Sequence, residues 1–255
     1  MKSTTPQELA EALRALGVRA GDLLMVHSFL LALGRMEGGP DGAIAGLKAA
    51  LTEAGTLVMP SYTFSFCSGE PFDLERTPSE TGALSEHFRK LPGTVRSLHP
   101  IQSVAAAGPL AEEACRHECK SSFGPGSSSQ RMLQAGVRVL NIGVDYREAG
   151  FTFFHYVEEQ EQVPYRFYKD FPGTITADGR TYQDTYKMYV RDLRYTNDFT
   201  RIGAVLEAEE LITTGHFAHG DLTLLETVPI CERVALAVRE DPTILLPEGT
   251  KLQSD

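Results

Sequence analysis

The sequence predicts an α/β fold: a sheet flanked by helices, with a β-hairpin-containing C-terminal part. Three observations carry that expectation. In the first 90 residues the segments alternate as helix, strand, helix, strand, helix, the pattern of a sheet with helices on its faces. The runs Leu23-Leu24-Met25-Val26 and Thr56-Leu57-Val58-Met59 are short and continuously apolar, as strands buried on both faces are. Later, residues 174–182 alternate around Asp178-Gly179, a hairpin turn signal. No Ser/Gly/Pro-rich linker divides the chain, so residues 1–255 read as one unit.

The first helix starts at Thr5-Pro6-Gln7-Glu8. Thr5 caps, Pro6 occupies the first helical position and Glu8 closes a capping box. Leu9, Leu13 and Leu16 form its apolar stripe and Gly17 ends it. After the strand at 23–26 come His27-Ser28-Phe29, then a glycine-rich turn, GRMEGGPDGA at 34–43, opening a second helix from about Asp41 to Glu53. Such a turn offers backbone N–H groups to an anion or serves simply as a tight turn; no Gly-Lys-Ser/Thr follows, so it is not a P-loop. Beyond the strand at 56–59, stopped by Pro60, lies Ser61-Tyr62-Thr63-Phe64, where an open α/β sheet places site residues.

Thr77-Pro78-Ser79-Glu80 repeats the capping signature and predicts a helix reaching Lys90. The small residues of 102–108 predict a strand that either packs tightly or lets something extended pass close by. A helix over 109–117, a loop at 121–127, a short helix ending at Gly136 and a strand over 137–144 follow. Helices are predicted over 200–214 and 229–239, with short strands over 216–226 between them and a loose tail at 251–255.

Composition removes several function classes. The chain has 255 residues, 24 basic and 34 acidic, a formal charge of −10. That balance argues against nucleic acid and anionic membrane as partners and suits a small-molecule amine. Cys67, Cys115, Cys119 and Cys231 show neither a disulfide framework nor a zinc spacing. The N-terminus lacks an apolar signal-peptide core, and no apolar run nears about 20 residues. The expectation is a cytoplasmic enzyme without a metal; a homodimer is left open.

The stretch at 149–159, AGFTFFHYVEE, carries the chemistry. His155 stands three residues before Glu158, on one face if the segment is helical. A carboxylate beside an imidazole makes a general base. The alternatives are a helix-surface pair without a role, and a shared metal ion, which needs a third ligand that helical spacing does not supply. Phe151, Phe153 and Phe154 are core residues or a water-excluding wall. There is no G-x-S-x-G elbow and no cysteine in a catalytic context, which favours direct transfer over a covalent intermediate. Backbone N–H groups near Ser103-Val104 or in the Ser28 loop are candidate oxyanion donors.

Five ordered segments carry a resemblance: VHSFLLALG at 26–34 with Gly38-Gly39, GTLVMPSYT at 55–63, TPSETGALSEHFRKLPGTVRSLHPIQSVAAAGPLA at 77–111, SSFGPGSSSQRMLQAGVRVLNIGV at 121–144 and FTFFHYVEE at 151–159. The chain resembles the aminoglycoside 3-N-acetyltransferase family, the acetyl-CoA-dependent group distinct from the GNAT enzymes. The resemblance covers residues 20–165 well and the rest loosely. It implies a mixed α/β fold with an acetyl-CoA cleft and catalytic base mainly in 1–160, and an acceptor side in 161–255. It implies that His27, Ser28 and Phe29 contact pantetheine and pyrophosphate, and that Ser103 and Val104 line the same cleft. It also implies that His155 is the base with Glu158 beside it, and that Tyr62 lies near the acceptor.

One departure bears on the acceptor. The segments VPYRFYKDF at 163–171 and KMYVRDLRY at 187–195 are locally basic, through Arg166, Lys169, Lys187 and Arg191. They are either a solvated surface cluster or a seat for a phosphate-bearing acceptor, with Arg166 as substrate ligand. The acceptor is accordingly an aminoglycoside or a nucleotide-linked amino sugar. A homologue that binds CoA or a sugar without catalysis is the third reading.

Overall fold

The computed structural model describes residues 3–253. In chain order the elements are α1 (Pro6–Leu16), β1 (Leu23–Ser28), α2 (Gly39–Leu51), β2 (Thr56–Pro60), β3 (Phe72–Asp73), α3 (Ala83–Phe88), β4 (Val95–Arg96), β5 (Val104–Ala107), α4 (Ala111–Cys115), α5 (Ser128–Gln134), β6 (Arg138–Ile142), α6 (Phe153–Gln160), β7 (Arg166–Ala177), β8 (Arg180–Arg191), α7 (Thr200–Ala208), β9 (Ile212–Phe217), β10 (Gly220–Leu225) and α8 (Thr227–Glu240).

The fold is mixed α/β. The main sheet has seven strands in the order β4-β5-β2-β1-β6-β10-β9. Its centre is parallel, β1 running with β2 and β6, and its flanks are antiparallel. Because β1 is buried on both faces, its alternate residues feed two cores. Leu24 and Val26 pack with α1 and α2, while Leu23 and Met25 pack with the α6 and α8 side. A second, three-stranded sheet, β3-β7-β8, is built on the long hairpin and covers its own small core around Phe66, Phe72 and Ile175. Residues 212–225 complete the main sheet, so both halves of the chain contribute to it.

Local signals were reliable where one residue has one physical job. Thr5 caps α1: the Glu8 N–H donates to its Oγ1 at 3.1 Å and its own N–H donates to the Glu8 carboxylate at 2.8 Å. Asp178 and Gly179 both sit at positive φ (51° and 70°), as a tight hairpin turn requires. The hairpin is longer than predicted, taking in the aromatic and basic segment from Arg166.

Three expectations fail for tertiary reasons. The Thr77–Glu80 signature does not cap a helix. Glu80 instead accepts the Phe64 and Ser65 N–H groups, each at 3.0 Å, and α3 begins only at Ala83. The helix expected over 200–214 stops at Ala208, because Glu210 turns into the left-handed region (φ 55°). Ile212, Thr213 and Thr214 then pair with β10. The helix expected over 109–117 is the single turn of α4. The small-residue strand β5 resolves in favour of tight packing: Ala105 and Ala106 lie wholly buried between β2 and β4. Of the tail, 251–253 have no regular structure and 254–255 lie outside the described residues.

Candidate active site

The chain reaches α6 through a tight turn in which the Glu148, Ala149 and Gly150 N–H groups all donate to the Asp145 carbonyl. Gly150 then passes over Asn141 of β6. A Cβ at position 150 would lie 2.2 Å from the Asn141 Nδ2, so only glycine allows this approach. Thr152 does not cap the helix with its hydroxyl, which instead accepts from Tyr62 at 3.1 Å. Burial pushes the Tyr62 phenol up to about 12, so it is a neutral donor at the start of α6.

Helix α6 buries every side chain from Phe153 to Glu159 except one. That one is His155, with 31% of its side chain exposed. Phe154 stacks against Phe151 and Phe199, with centroids 4.8 and 4.5 Å apart, and Phe199 also meets the His155 ring edge-on at 6.0 Å. The imidazole therefore meets one aromatic ring, Phe199, which Phe154 backs, and is partly open to solvent.

Behind it stands Glu158, fully buried. Its Oε2 lies 2.6 Å from His155 Nδ1 and accepts from Arg166 Nη2 at 2.8 Å. Its Oε1 accepts from the Tyr165 hydroxyl at 2.9 Å. Burial would raise this carboxyl, but His155, Arg166 and Tyr165 together outweigh it and hold the group below its usual range. An ionised Glu158 fixes the imidazole tautomer: Nδ1–H donates to it, and Nε2 keeps its lone pair. Arg166 Nη2 also lies 3.1 Å from Nδ1. Two donors cannot bond each other, so that approach is a consequence of sharing one carboxylate oxygen.

The other sequence candidates fall into two groups. His27, Ser28 and Phe29 occupy the C-terminal edge of the central parallel strands, where α/β sheets receive ligands. His27 faces Asn141 across the ladder, and its Nε2 is buried without a partner. Burial pushes its imidazole down to about 4, so it is neutral at pH 7. Phe29 is 55% exposed and Leu31 more so, an apolar lip beside that edge.

Ser103 and Val104 are different. Ser103 donates to the Ser61 carbonyl at 2.5 Å and accepts from Arg96 at 3.0 Å, and the Val104 N–H donates to Ser97 at 2.8 Å. The Ser103 hydroxyl and the Val104 N–H bind the interior together, so neither is free as an oxyanion donor. Arg166 also departs from expectation. Its side chain is buried and turned to Glu158, and Lys187 lies over the Tyr168 ring.

The sequence reading did not foresee Tyr165, Asn197 or Phe199 at the site. What brings Tyr165 and Arg166 back over Glu158 is a chain reversal: Gln162 is left-handed (φ 49°) and the Val163 N–H donates to the Glu158 carbonyl. Pro164 was its only visible trace.

Two clefts open near β6 and α7. One of about 760 Å³ is lined by Gly143, Asp145, Glu207, Asp221 and Thr223 among others. The second, of about 520 Å³, lies between residues 145–148 and 196–200 and includes Asp145, Glu148, Asn197 and Asp198. Asn197 also touches Arg166, at 3.4 Å, which ties the second cleft to the Glu158 network. Among the described residues no group of three or more His, Cys, Asp or Glu could hold a metal ion, and no helix is long and apolar enough to cross a membrane.

The arrangement is a partly exposed histidine whose Nδ1 is held by a buried carboxylate, on the helix that follows strand β6 of an α/β sheet. The family is shown by comparison. The profile of the aminoglycoside 3-N-acetyltransferase family matches residues 25–238. Aminoglycoside N(3)-acetyltransferase IV of Salmonella sp is 33% identical over 247 residues, 95% of this chain and 91% of the relative. The type VII enzyme of Streptomyces paromomycinus is 30% identical, over 69% of this chain and 67% of its own. Among solved structures, aminoglycoside acetyltransferase AAC(3)-IVa superposes with a TM-score of 0.81 at 31% identity, covering 96% of each chain. It was solved as a histidine-to-alanine variant in complex with apramycin. AAC-IIIb, solved with CoASH, shares the fold with a TM-score of 0.85 at 23% identity, over 94% of this chain and 97% of that one. This chain belongs to the aminoglycoside 3-N-acetyltransferase family and is thereby an acyl-CoA-dependent N-acyltransferase.

Proposed function

We propose that this protein transfers the acetyl group of acetyl-CoA directly to an amine of an aminoglycoside, with His155 as general base. One observation carries the reading: the sole opening in the buried part of α6 is an imidazole whose Nδ1 is held by an ionised carboxylate. An ammonium has no lone pair, so the acceptor gives up its ammonium proton to solvent and attacks as the neutral amine. As that nitrogen bonds to the thioester carbonyl carbon, His155 Nε2 accepts a second proton from it. Glu158 stabilises the resulting imidazolium. The tetrahedral adduct collapses, the C–S bond breaks and the proton passes from His155 to the CoA sulfur.

Direct transfer fits the cysteines. Burial pushes the Cys115 thiol up to about 12 and raises those of Cys67, Cys119 and Cys231. None is a ready thiolate at neutral pH. His27, Ser28 and Phe29 suit the acetyl-CoA side by position and exposure, and Tyr62 the approach to α6. The cleft that includes Asn197 carries three carboxylates, Asp145, Glu148 and Asp198, against one cation, Arg147, a balance that suits a polyamine, and a relative has been solved with apramycin. The phosphate-bearing alternative needed Arg166 in the acceptor pocket, and Arg166 is engaged with Glu158.

The test is CoA release over a panel of amines. Aminoglycosides of the kanamycin and apramycin type should support turnover, and nucleotide amino sugars should not. The reverse result overturns the acceptor assignment.

A further inference from the structure

We propose that Arg166 and Tyr165 are positioning residues for the base: together they lock the Glu158 carboxylate in the orientation that leaves His155 Nε2 free to take the amine's proton. This rests on the reading of His155 as the base.

The geometry is specific. Glu158 is fully buried, and both of its oxygens are engaged: Oε2 by His155 Nδ1 and Arg166 Nη2, Oε1 by the Tyr165 hydroxyl. The carboxylate cannot rotate without breaking one of these bonds, so the imidazole plane is set from three directions. Arg166 is itself anchored. Its Nη1 donates to the Tyr189 carbonyl at 3.1 Å and its Nη2 to Asn197 Oδ1 at 3.4 Å, which ties β8 and the segment before Phe199 to the same point. Both terminal nitrogens have acceptors and Nε is buried, so the side chain has little left to offer an acceptor molecule.

The charge matters as much as the fork. A buried carboxylate alone beside an imidazole would stabilise the imidazolium and favour a resting enzyme already carrying the proton. Arg166 shares the same carboxylate oxygen and stands 3.1 Å from Nδ1, offsetting that attraction. The groups that face His155 are Glu158 from its own helix, Arg166 from β7, and the Phe199 ring and Asn197–Arg166 contact from the segment before α7. Arg166 is the one cation among them. Neighbouring Glu159 points away, to Ser121 and Tyr168.

The experiment measures kcat and both KM values against pH for the wild type, Arg166→Met, Arg166→Lys and Tyr165→Phe. In Arg166→Met, kcat at pH 7 should fall about tenfold to a hundredfold while both KM values stay within about threefold. The acid limb of its kcat profile should move to higher pH, since the cation that shares the Glu158 carboxylate oxygen is gone. Arg166→Lys keeps the charge without the fork, so its limb should stay near the wild type with a smaller loss of kcat. Tyr165→Phe should shift the limb slightly in the same upward direction. If Arg166→Met does not fold, the last two variants carry the test through the order of their limbs. An unmoved limb in every folded variant, or a raised acceptor KM with unchanged kcat, overturns the proposal. Failure of the base reading itself looks different: His155→Ala would then keep turnover.

Discussion

Glu158 and Glu159 are consecutive residues of one helix, both buried, with opposite electrostatic fates. Glu158 has a histidine, an arginine and a tyrosine hydroxyl within reach, and it is held ionised against its burial. Glu159 has the hydroxyls of Ser121 and Tyr168 and the Phe123 backbone beside it, and Arg166 is the last and weakest of its influences. Burial raises it, and Ser121, Tyr168, the Phe123 backbone and Arg166 together do not make up the difference. Burial alone thus says little about a carboxyl group; the cation beside it decides. One side of α6 is ion-paired while the other anchors the loop at 118–127 and β7 through hydroxyl bonds.

That contrast can be broken from either side. Glu158→Ala has the larger expected effect. It leaves the Arg166 guanidinium buried and unpaired, which costs about 3–5 kcal/mol, and it frees the imidazole to rotate. Denaturant unfolding should show that loss, and CoA release should fall with it. Glu159→Gln keeps the shape and replaces a group that is already inclined to be neutral. Its stability at pH 6 should lie within about 1 kcal/mol of the wild type, with turnover nearly unchanged.

The two carboxyls also predict opposite pH dependences. Glu158 is depressed when folded, so its contribution is present above the unfolded value of about 4.3 and is lost as pH falls below it. Glu159 is raised when folded, so it costs nothing in acid and weakens the fold as pH rises from about 4.3 through its folded value. Glu159→Gln should therefore flatten the alkaline side of the stability profile and leave the acid side alone. An unchanged alkaline slope would show Glu159 to be ionised in the folded protein. The smallest effect belongs to Tyr62→Phe, which removes one buried hydroxyl bond to Thr152 and should cost about 1 kcal/mol of stability.

How much of this was legible in the sequence follows the same division. Interactions closed within one turn could be read directly: the Thr5–Glu8 capping box, the Asp178-Gly179 hairpin and the His155–Glu158 pair all span three residues or fewer. A sheet with helices on its faces was legible from the alternation of apolar runs, and its mixed strand directions only from the family resemblance. Interactions that need a chain reversal or a distant partner were not. Glu80 looked like a helix cap until residues 64 and 65 supplied better donors. Ile212 to Thr214 looked like the end of a helix until β10 offered a ladder. Arg166 read as one of four cations, either a solvated cluster or a substrate ligand, because nothing local shows that Gln162 and Val163 fold it back onto Glu158. The same misreading supplied the case for a phosphate-bearing acceptor.

The account turns on His155 Nε2 as the base. The most direct measurement is CoA release by purified His155→Ala with saturating acetyl-CoA and an aminoglycoside, alongside its affinity for acetyl-CoA. The expected result is a loss of turnover of about a hundredfold to ten-thousandfold with acetyl-CoA affinity nearly intact. Turnover close to that of the wild type would contradict it and remove His155 from the mechanism.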